Sequence, residues 1–581
     1  MDGRPTSRRL LAAYLWPGRG AAGLLAAAVL AMTVLPLLAP QLTRLVVDGA
    51  IAGNPVSSLV GLAVLYLVVA IGAQVAKVIT AWLASRLAWD GTNRLRERLA
   101  EHALGLDLAF HGRRTPGEMI ERVDGDVVAL AEFVVAFLLD VLASFLLLVG
   151  VLVLVFVADA RIGAVLLVYA ALIGLLLVRV QRRAVPAATA FRESMAQLFG
   201  NLEERLAGME DIRANGAGQH VVNRFYEASA DVYRADLRAE RIGGGAYALT
   251  NVAFAGATAV VLAAAVLLTR SGALTIGTAV LLFQYTQMVR QPFERIIDQL
   301  QQYQKALAGM ARIGDLLAER PTLPEPVGGG RPLRPGPLAV EFEGVGFAYA
   351  DDDEVVLADI DLGLHAGSSL GLVGRTGSGK TTIARLLLRL YDPTEGAVRL
   401  GGVDLRQVEP ASLRHRVGVV TQDVQLFSAS VRDNLTLFRV GFDDARLVDV
   451  LGRLGLGPWL AALPAGLDTE LRPGGAGLSA GEAQLLAFAR AFLSDPGLDV
   501  LDEASSRLDP GTEAMIEQAI DRLLRGRTAV LIAHRLSSLS KVDLVAVVDD
   551  GRIVEQGPRA MLAADPDSRF AHLLAAAGVS V

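Results

Sequence analysis

The chain has 581 residues, too many for a single hydrophobic core, so several domains are expected. It is 52% hydrophobic with a mean hydropathy of +0.43, which places part of it in lipid, and its net charge of −6 gives no reason to expect a nucleic-acid partner. The absence of cysteine excludes disulfides, thiolate catalysis and cysteine-based metal sites.

In chain order, long apolar runs come first. Six membrane spans are predicted at 20–43, 56–80, 133–157, 161–181, 245–269 and 274–292, most of them reaching the ~20 apolar residues that a bilayer requires. The first is read as a retained span rather than a cleaved signal, because no small-residue cleavage site clearly follows it. Seven Arg fall in 86–128 and nine in 182–241, while the links near 44–56, 158–160 and 270–273 carry almost none. The positive-inside rule therefore puts the N terminus (Arg4, Arg8, Arg9) and both long segments in the cytoplasm. Leu202, Leu206, Met209 and Ile212 recur at helical spacing, so the spans are expected to run on as helices into the cytoplasm before turning back.

Within the spans, Lys77 and Asp140 are ionisable groups in or near apolar sequence. They are candidates for a functional role or for a pair between helices. Asn251, Gln284, Tyr285 and Gln287 are candidates to line a cavity or to hold helices together. At ERPTLPEPVGGGRPLRPGP, 319–337, proline and glycine are too dense for a helix, and an interdomain linker is expected. Beyond it, short β-rich runs such as LAVEFEGVGFAY alternate with helical ones, the pattern of a soluble α/β domain.

GRTGSGKT, residues 374–381, follows an apolar strand-like run and precedes IARLLLRLY. Strand, glycine loop and helix is the setting in which G-x-x-x-x-G-K-[ST] binds phosphate. Gly374, Gly377 and Gly379 let backbone N–H groups turn toward phosphate oxygens, with Arg375, Thr376, Ser378 and Thr382 completing the loop and the helix entrance. Lys380 is expected to reach the β- and γ-phosphates of ATP, and the Thr381 hydroxyl to bind Mg²⁺. LDVLDEAS, 498–505, ends an apolar strand at Asp502, suited to the shell of the metal, and Glu503, suited to polarise attacking water. Asp499 lies within that strand, where an unpaired carboxylate is costly, and is expected near the strand entrance with access to water.

These residues together resemble the ATP-binding cassette family, and the resemblance covers nearly the whole chain. It implies an exporter-type half-transporter: an all-α transmembrane domain of six helices (1–318), a linker (319–337) and an α/β P-loop ATPase domain (338–581). From the resemblance, Tyr349 is expected to stack on adenine, and Gln422 in VVTQDVQLF to contact Mg²⁺ and water. Asp509 is expected to communicate across a dimer, and His534 in LIAHR to contact the γ-phosphate. FHGRRTPGEMIERVDGDV (110–127) and GMEDIRANGA (208–217) resemble the two cytoplasmic coupling segments.

LSAGEAQ, 478–484, resembles the LSGGQ signature that closes over ATP held by the other subunit. Ser479 and Gly481 are kept. Ala480 adds a methyl where close backbone approach is wanted, and Glu482 places a carboxylate near phosphate unless it is paired or turned away. The upstream TELRPGG also departs from the usual TEVGERG, and Arg507 replaces a small residue beside Asp509. On the altered signature, a heterodimer with a second half-transporter is favoured over a homodimer. The expected function is ATP-driven export of amphipathic small molecules, lipids or peptides across a bacterial plasma membrane. The alternatives are import of a siderophore or lipid and a regulatory ATP-binding subunit.

Overall fold

A computed structural model describes residues 19–349, 354–472, 474, 477–502, 510–533 and 536–577. Contacts divide the chain into two units, Met1–Gly105 with Thr115–Glu319 and Leu106–Arg114 with Arg320–Val581.

The first unit is helical. Helix α1 (Arg19–Ile51) is followed by α2 (Val56–Leu104); the short α3 (Leu108–Gly112) belongs to the second unit. Next, α4 (Pro116–Ile120), α5 (Asp126–Ala136) and α6 (Ala143–Ala158) are joined by two π-helical turns, Glu121–Gly125 and Phe137–Leu142, into one continuous run. Then come α7 (Ala160–Ala207), α8 (Met209–Ala214), α9 (Gly218–Arg270), α10 (Ile276–Met288) and α11 (Arg290–Ala318). Local chemistry sets the breaks. Asp159, in extended conformation, ends α6 and accepts from the N–H groups of Arg161 and Ile162 to start α7. Asp48 of α1 accepts from Gly277 N at 2.9 Å and from the Thr275 hydroxyl at 2.8 Å, fixing the start of α10.

Five of these helical stretches, Gly20–Ile51, Val56–Leu104, Pro116–Ala158, Ala160–Ala207 and Gly218–Arg270, are long and apolar enough to cross a membrane. The chain is a multi-pass membrane protein. The sixth expected span, 274–292, falls on α10 and the start of α11, which only Val289, itself in helical conformation, separates, so the helix count is compatible with six spans. Helices α2, α7 and α9 have 49, 48 and 53 residues. At ~1.5 Å per residue each is more than twice the ~30 Å hydrocarbon thickness, so each continues beyond the lipid. Tyr285 of α10 is fully buried in this unit. Its hydroxyl donates to Leu37 O at 2.8 Å and accepts from Gln41 at 3.0 Å.

The second unit holds two sheets. A four-stranded antiparallel sheet has the order β2 (Val355–Leu364), β1 (Val340–Ala348), β4 (Glu395–Leu400), β5 (Val403–Asp404). A six-stranded sheet has the order β10 (Arg552–Pro558), β9 (Leu544–Asp549), β3 (Ser369–Val373), β8 (Thr528–Ile532), β7 (Leu498–Asp502), β6 (Val417–Val420). It is parallel except at β10. Parallel sheets are covered on both faces, so their strands read as unbroken apolar runs. Leu370, Leu372, Val500 and Ile532 pack into one core, and Val373, Leu501, Leu531 and Val545 into the other. The helices that concern the site are α12 (Lys380–Leu387), α13 (Pro410–Arg416), α14 (Val431–Thr436), α15 (Asp444–Arg453), α16 (Gly457–Ala462) and α17 (Ala480–Ser494). The shared direction of β3, β8 and β7 brings the strand ends Val373, Ile532 and Asp502 to one edge of the sheet. Ligands of open α/β sheets bind at such an edge.

Candidate functional site

The loop between β3 and α12 is held by three glycines in different ways. A methyl at Gly374 would lie 2.0 Å from Val548 O, so this residue lets the loop rest on β9. Gly379, at φ +103°, stands immediately before α12, and a methyl there would lie 2.6 Å from the Leu357 Cδ2 of β2. Gly377, at φ +86°, has nothing within 4 Å of its missing methyl. Its left-handed backbone therefore presents an open face at the helix N-terminus, the geometry of an anion cradle.

Lys380 is buried beneath this loop. Its ammonium donates to Gly374 O at 2.8 Å, Arg375 O at 2.7 Å and the Ser378 hydroxyl at 3.4 Å, which uses all three of its protons. Burial lowers its pKa, and the Asp502 carboxylate at the end of β7 opposes that shift. Arg375 and Thr376 are exposed, Ser378 is buried, Thr381 is half-buried and Thr382 is buried. Tyr349 sits beside α12: its hydroxyl is 3.1 Å from the Thr382 Oγ1 and accepts from Arg385 at 3.0 Å. Its ring packs edge-on against Phe347 and Tyr391. Gln422 is exposed just beyond β6, which pairs with β7 through Val420 and Leu501. The structure thus gathers the glycine loop, Lys380, Thr381, Thr382, Tyr349 and Asp502 around the start of α12. Glu503, Asp509 and His534 lie outside the described residues.

Ser479 and Gly481 begin a different helix, α17. The Ser479 hydroxyl accepts from Glu482 N at 3.2 Å, and the Glu482 carboxylate accepts from Ser479 N at 2.8 Å and from the Ser479 hydroxyl at 2.9 Å. This is a reciprocal capping box. The Glu482 carboxylate is therefore paired, with the donors of Ser479 itself. From α17, the half-buried Arg490 donates to Asn434 O at 2.8 Å and to Gln425 O at 3.0 Å, tying the helix to the loop that carries Gln422. Burial lowers the pKa of this guanidinium. Sequence reasoning missed this tie, because two backbone carbonyls leave no side-chain signal.

Asp499 is not near water. It is completely buried in β7 opposite Gly418 of β6, whose missing side chain leaves room for it. Arg527 Nη1 lies 3.5 Å from its carboxylate, and the same guanidinium reaches Asp495, at the end of α17, at 2.6 Å. Burial pushes the Asp499 carboxyl up to about 7 against the pull of Arg527, with Asp495 adding to the rise.

In the membrane unit, Lys77 and Gln287 line one cavity. Asp140, within the second π turn, pairs across helices with Arg295 at 3.9 Å and accepts from Gln299 at 3.3 Å. Asn251 bonds within its own helix to Tyr247 O, and Tyr285 is closed into the core, so neither faces this cavity. The cavity also takes Gln74, Gln291 and Arg295. Their spacing was a usable signal, since Gln287, Gln291 and Arg295 recur every four residues, and Gln74 precedes Lys77 by three.

Two sequence families match. The one described as ABC transporter transmembrane region covers residues 23–293, and the one described as ABC transporter covers residues 357–506. The fatty acid ABC transporter ATP-binding/permease protein of Mycobacterium tuberculosis is 32% identical over 81% of this chain and 74% of its own length. The ATP-dependent lipid A-core flippase of Escherichia coli is 30% identical over 84% of each. The solved structure of a bacterial Atm1-family ABC exporter with ATP bound superimposes with a TM-score of 0.79, at 25% identity, over 96% of this chain and 98% of that one.

Proposed function

The chain belongs to the ABC transporter family, a helical membrane domain fused to an ATPase whose turnover drives transport, and from that premise we propose that it is one half of a heterodimeric exporter of amphipathic lipids or small molecules. The observation that carries the reading is the contrast between an open glycine loop above Lys380 and a signature closed by its own Glu482.

In this reading the loop N–H groups and the N-terminus of α12 receive the phosphates of ATP, and Lys380 exchanges the carbonyls of Gly374 and Arg375 for phosphate oxygens. Burial sharpens that exchange, because a desolvated ammonium prefers an anion to neutral carbonyls. Thr381, Asp502 and Gln422 would hold Mg²⁺, which when bound neutralises phosphate charge. The fit rests on the open face at Gly377 and on the carboxylate of Asp502 acting on Lys380. Glu503 takes the proton of the attacking water, His534 contacts the γ-phosphate, Tyr349 meets the adenine and Asp509 faces the other subunit.

Ser479 and Gly481 serve ATP bound by the partner. To do so, the Ser479 hydroxyl must let go of Glu482, and an anion must approach a carboxylate, which weakens this second site. The intact catalytic residues of this chain then work against a partner's signature. The arginine-rich segments keep the ATPase in the cytoplasm of a bacterial cell whose plasma membrane the helices cross. The relatives named for fatty acid and for lipid A-core support lipid-like cargo.

The test is ATP hydrolysis by the chain alone in lipid nanodiscs, with Glu503→Gln as control and mass photometry for stoichiometry. The heterodimer reading expects ATP binding with turnover close to that of the Glu503→Gln control, and full turnover only with a second half-transporter. A dimer of this chain alone with vigorous Glu503-dependent hydrolysis would replace it with a homodimer.

A further inference from the structure

The membrane-unit cavity lined by Lys77 and Gln287 carries an unbalanced positive charge. It encloses about 420 Å³, within the ~300–1,000 Å³ usual for small-molecule sites. Two cations line it, Lys77 and Arg295. Arg295 faces the carboxylate of Asp140 at 3.9 Å, and Arg290, one turn earlier on the same helix, is matched by Glu294 at 2.7 Å. Lys77 has no ion pair or hydrogen bond among the described residues.

An ammonium on a span facing a cavity needs water or an anion beside it, because hydrocarbon offers neither charge nor acceptor. The groups around Lys77 extend its preference for anions. Gln74, Gln287 and Gln291 can each turn amide N–H groups toward an oxyanion. The remaining wall is apolar, with Met32, Leu147 and Met288 offering flexible and branched hydrocarbon surface. The two methionines can adjust to differently shaped tails.

We propose that this cavity binds an amphipathic anion, with its carboxylate or phosphate head on Lys77 and the neighbouring glutamine amides and its apolar body against Met32, Leu147 and Met288. The proposal narrows the cargo of the exporter and rests on the export reading only for the steps after binding. The π turn Phe137–Leu142 has a part in it, because Asp140 lies in that turn and pairs with Arg295. Asp140 then neutralises one of the two cations and leaves Lys77 for the ligand.

The experiment uses the full chain in nanodiscs without ATP and measures equilibrium binding of four radiolabelled twelve-carbon probes, with empty nanodiscs subtracted. The probes are dodecanoate, dodecyl phosphate, dodecanol and dodecyltrimethylammonium. Both anions are expected to bind more tightly than the alcohol and the cation, and the order of the two anions distinguishes a carboxylate from a phosphate head. Lys77→Gln is expected to weaken the anions ~10-fold or more while leaving dodecanol little changed, and Lys77→Arg to restore them. Equal binding of all four probes, or an anion preference that survives Lys77→Gln in a variant with wild-type thermal stability, would overturn the proposal. Because binding is read without ATP, anion-selective binding by a chain whose complex with the second half-transporter transports nothing would refute the export reading and leave this one standing.

Discussion

The N-termini of α12 and α17 are both built to meet anions, yet they have opposite fillings. At α12, Gly377 leaves an open face and the buried ammonium of Lys380 lies beneath the loop. At α17, the Glu482 carboxylate already sits on the N–H and hydroxyl of Ser479. A helix N-terminus favours negative charge wherever it comes from, so a side chain one turn in can satisfy it as well as a ligand can. The difference teaches that donor geometry alone does not make a phosphate site; what already occupies the donors decides how strongly one binds.

The largest effect should come from removing the cation on the open side. Lys380→Ala is expected to lower ATP hydrolysis ~100-fold or more in the complex with the second subunit, since Lys380 is the buried cation of the described loop and Arg375 is exposed to solvent. Hydrolysis rates at saturating ATP measure this, and a loss of only a few-fold would mean that the glycine backbone, not Lys380, carries the site. This side of the comparison was readable in the sequence, because GRTGSGKT fixes backbone conformation and charge within eight consecutive residues. So was the α/β domain, from β-rich runs alternating with helical ones. The state of Glu482 was not, because a carboxylate three residues into a helix can point to solvent, to phosphate or back to its cap with the same sequence. Nor was the partner of Asp499, since Arg527 comes from a turn 28 positions later and meets it only through the order of the strands.

The next effect concerns the link between the two helices' supports. Arg527 joins Asp495, at the C-terminal end of the signature helix, to Asp499, at the base of the strand that ends in Asp502. The carboxyl of Asp499 titrates at about 7 in the folded chain because it is buried, against ~3.9 when unfolded. The folded state therefore holds the extra proton between these values. The contribution to stability is full below the unfolded pKa and is lost as pH rises to about 7. Asp499→Asn should flatten this slope, which amounts to a few kcal/mol at most. Thermal unfolding between pH 5 and 8 checks it: the wild type is expected to lose melting temperature across that interval and the variant to change less. Parallel slopes would show that Arg527 keeps Asp499 ionised throughout and that the link is a plain ion pair.

The smallest effect is the one that bears most directly on the contrast between the helices. Glu482→Gln keeps an oxygen to accept from Ser479 N, so the cap and the start of α17 should survive, but it removes the charge that an incoming phosphate would meet. Exposed charges at such distances are worth ~0.2–1 kcal/mol, so the apparent affinity for ATP in the complex should improve by roughly 1.4–5-fold. The gain should be greatest at low ionic strength and shrink as salt rises toward physiological levels, where charges more than ~8 Å apart no longer sense each other. Ser479→Ala in the same background separates the two roles of that hydroxyl. If the hydroxyl contacts phosphate once Glu482 is neutral, the double variant loses the gain; if it only caps the helix, the gain remains. An unchanged affinity at low salt in Glu482→Gln would mean that the carboxylate is nothing more than a helix cap. The two N-termini would then differ in sequence but not in their reach for phosphate.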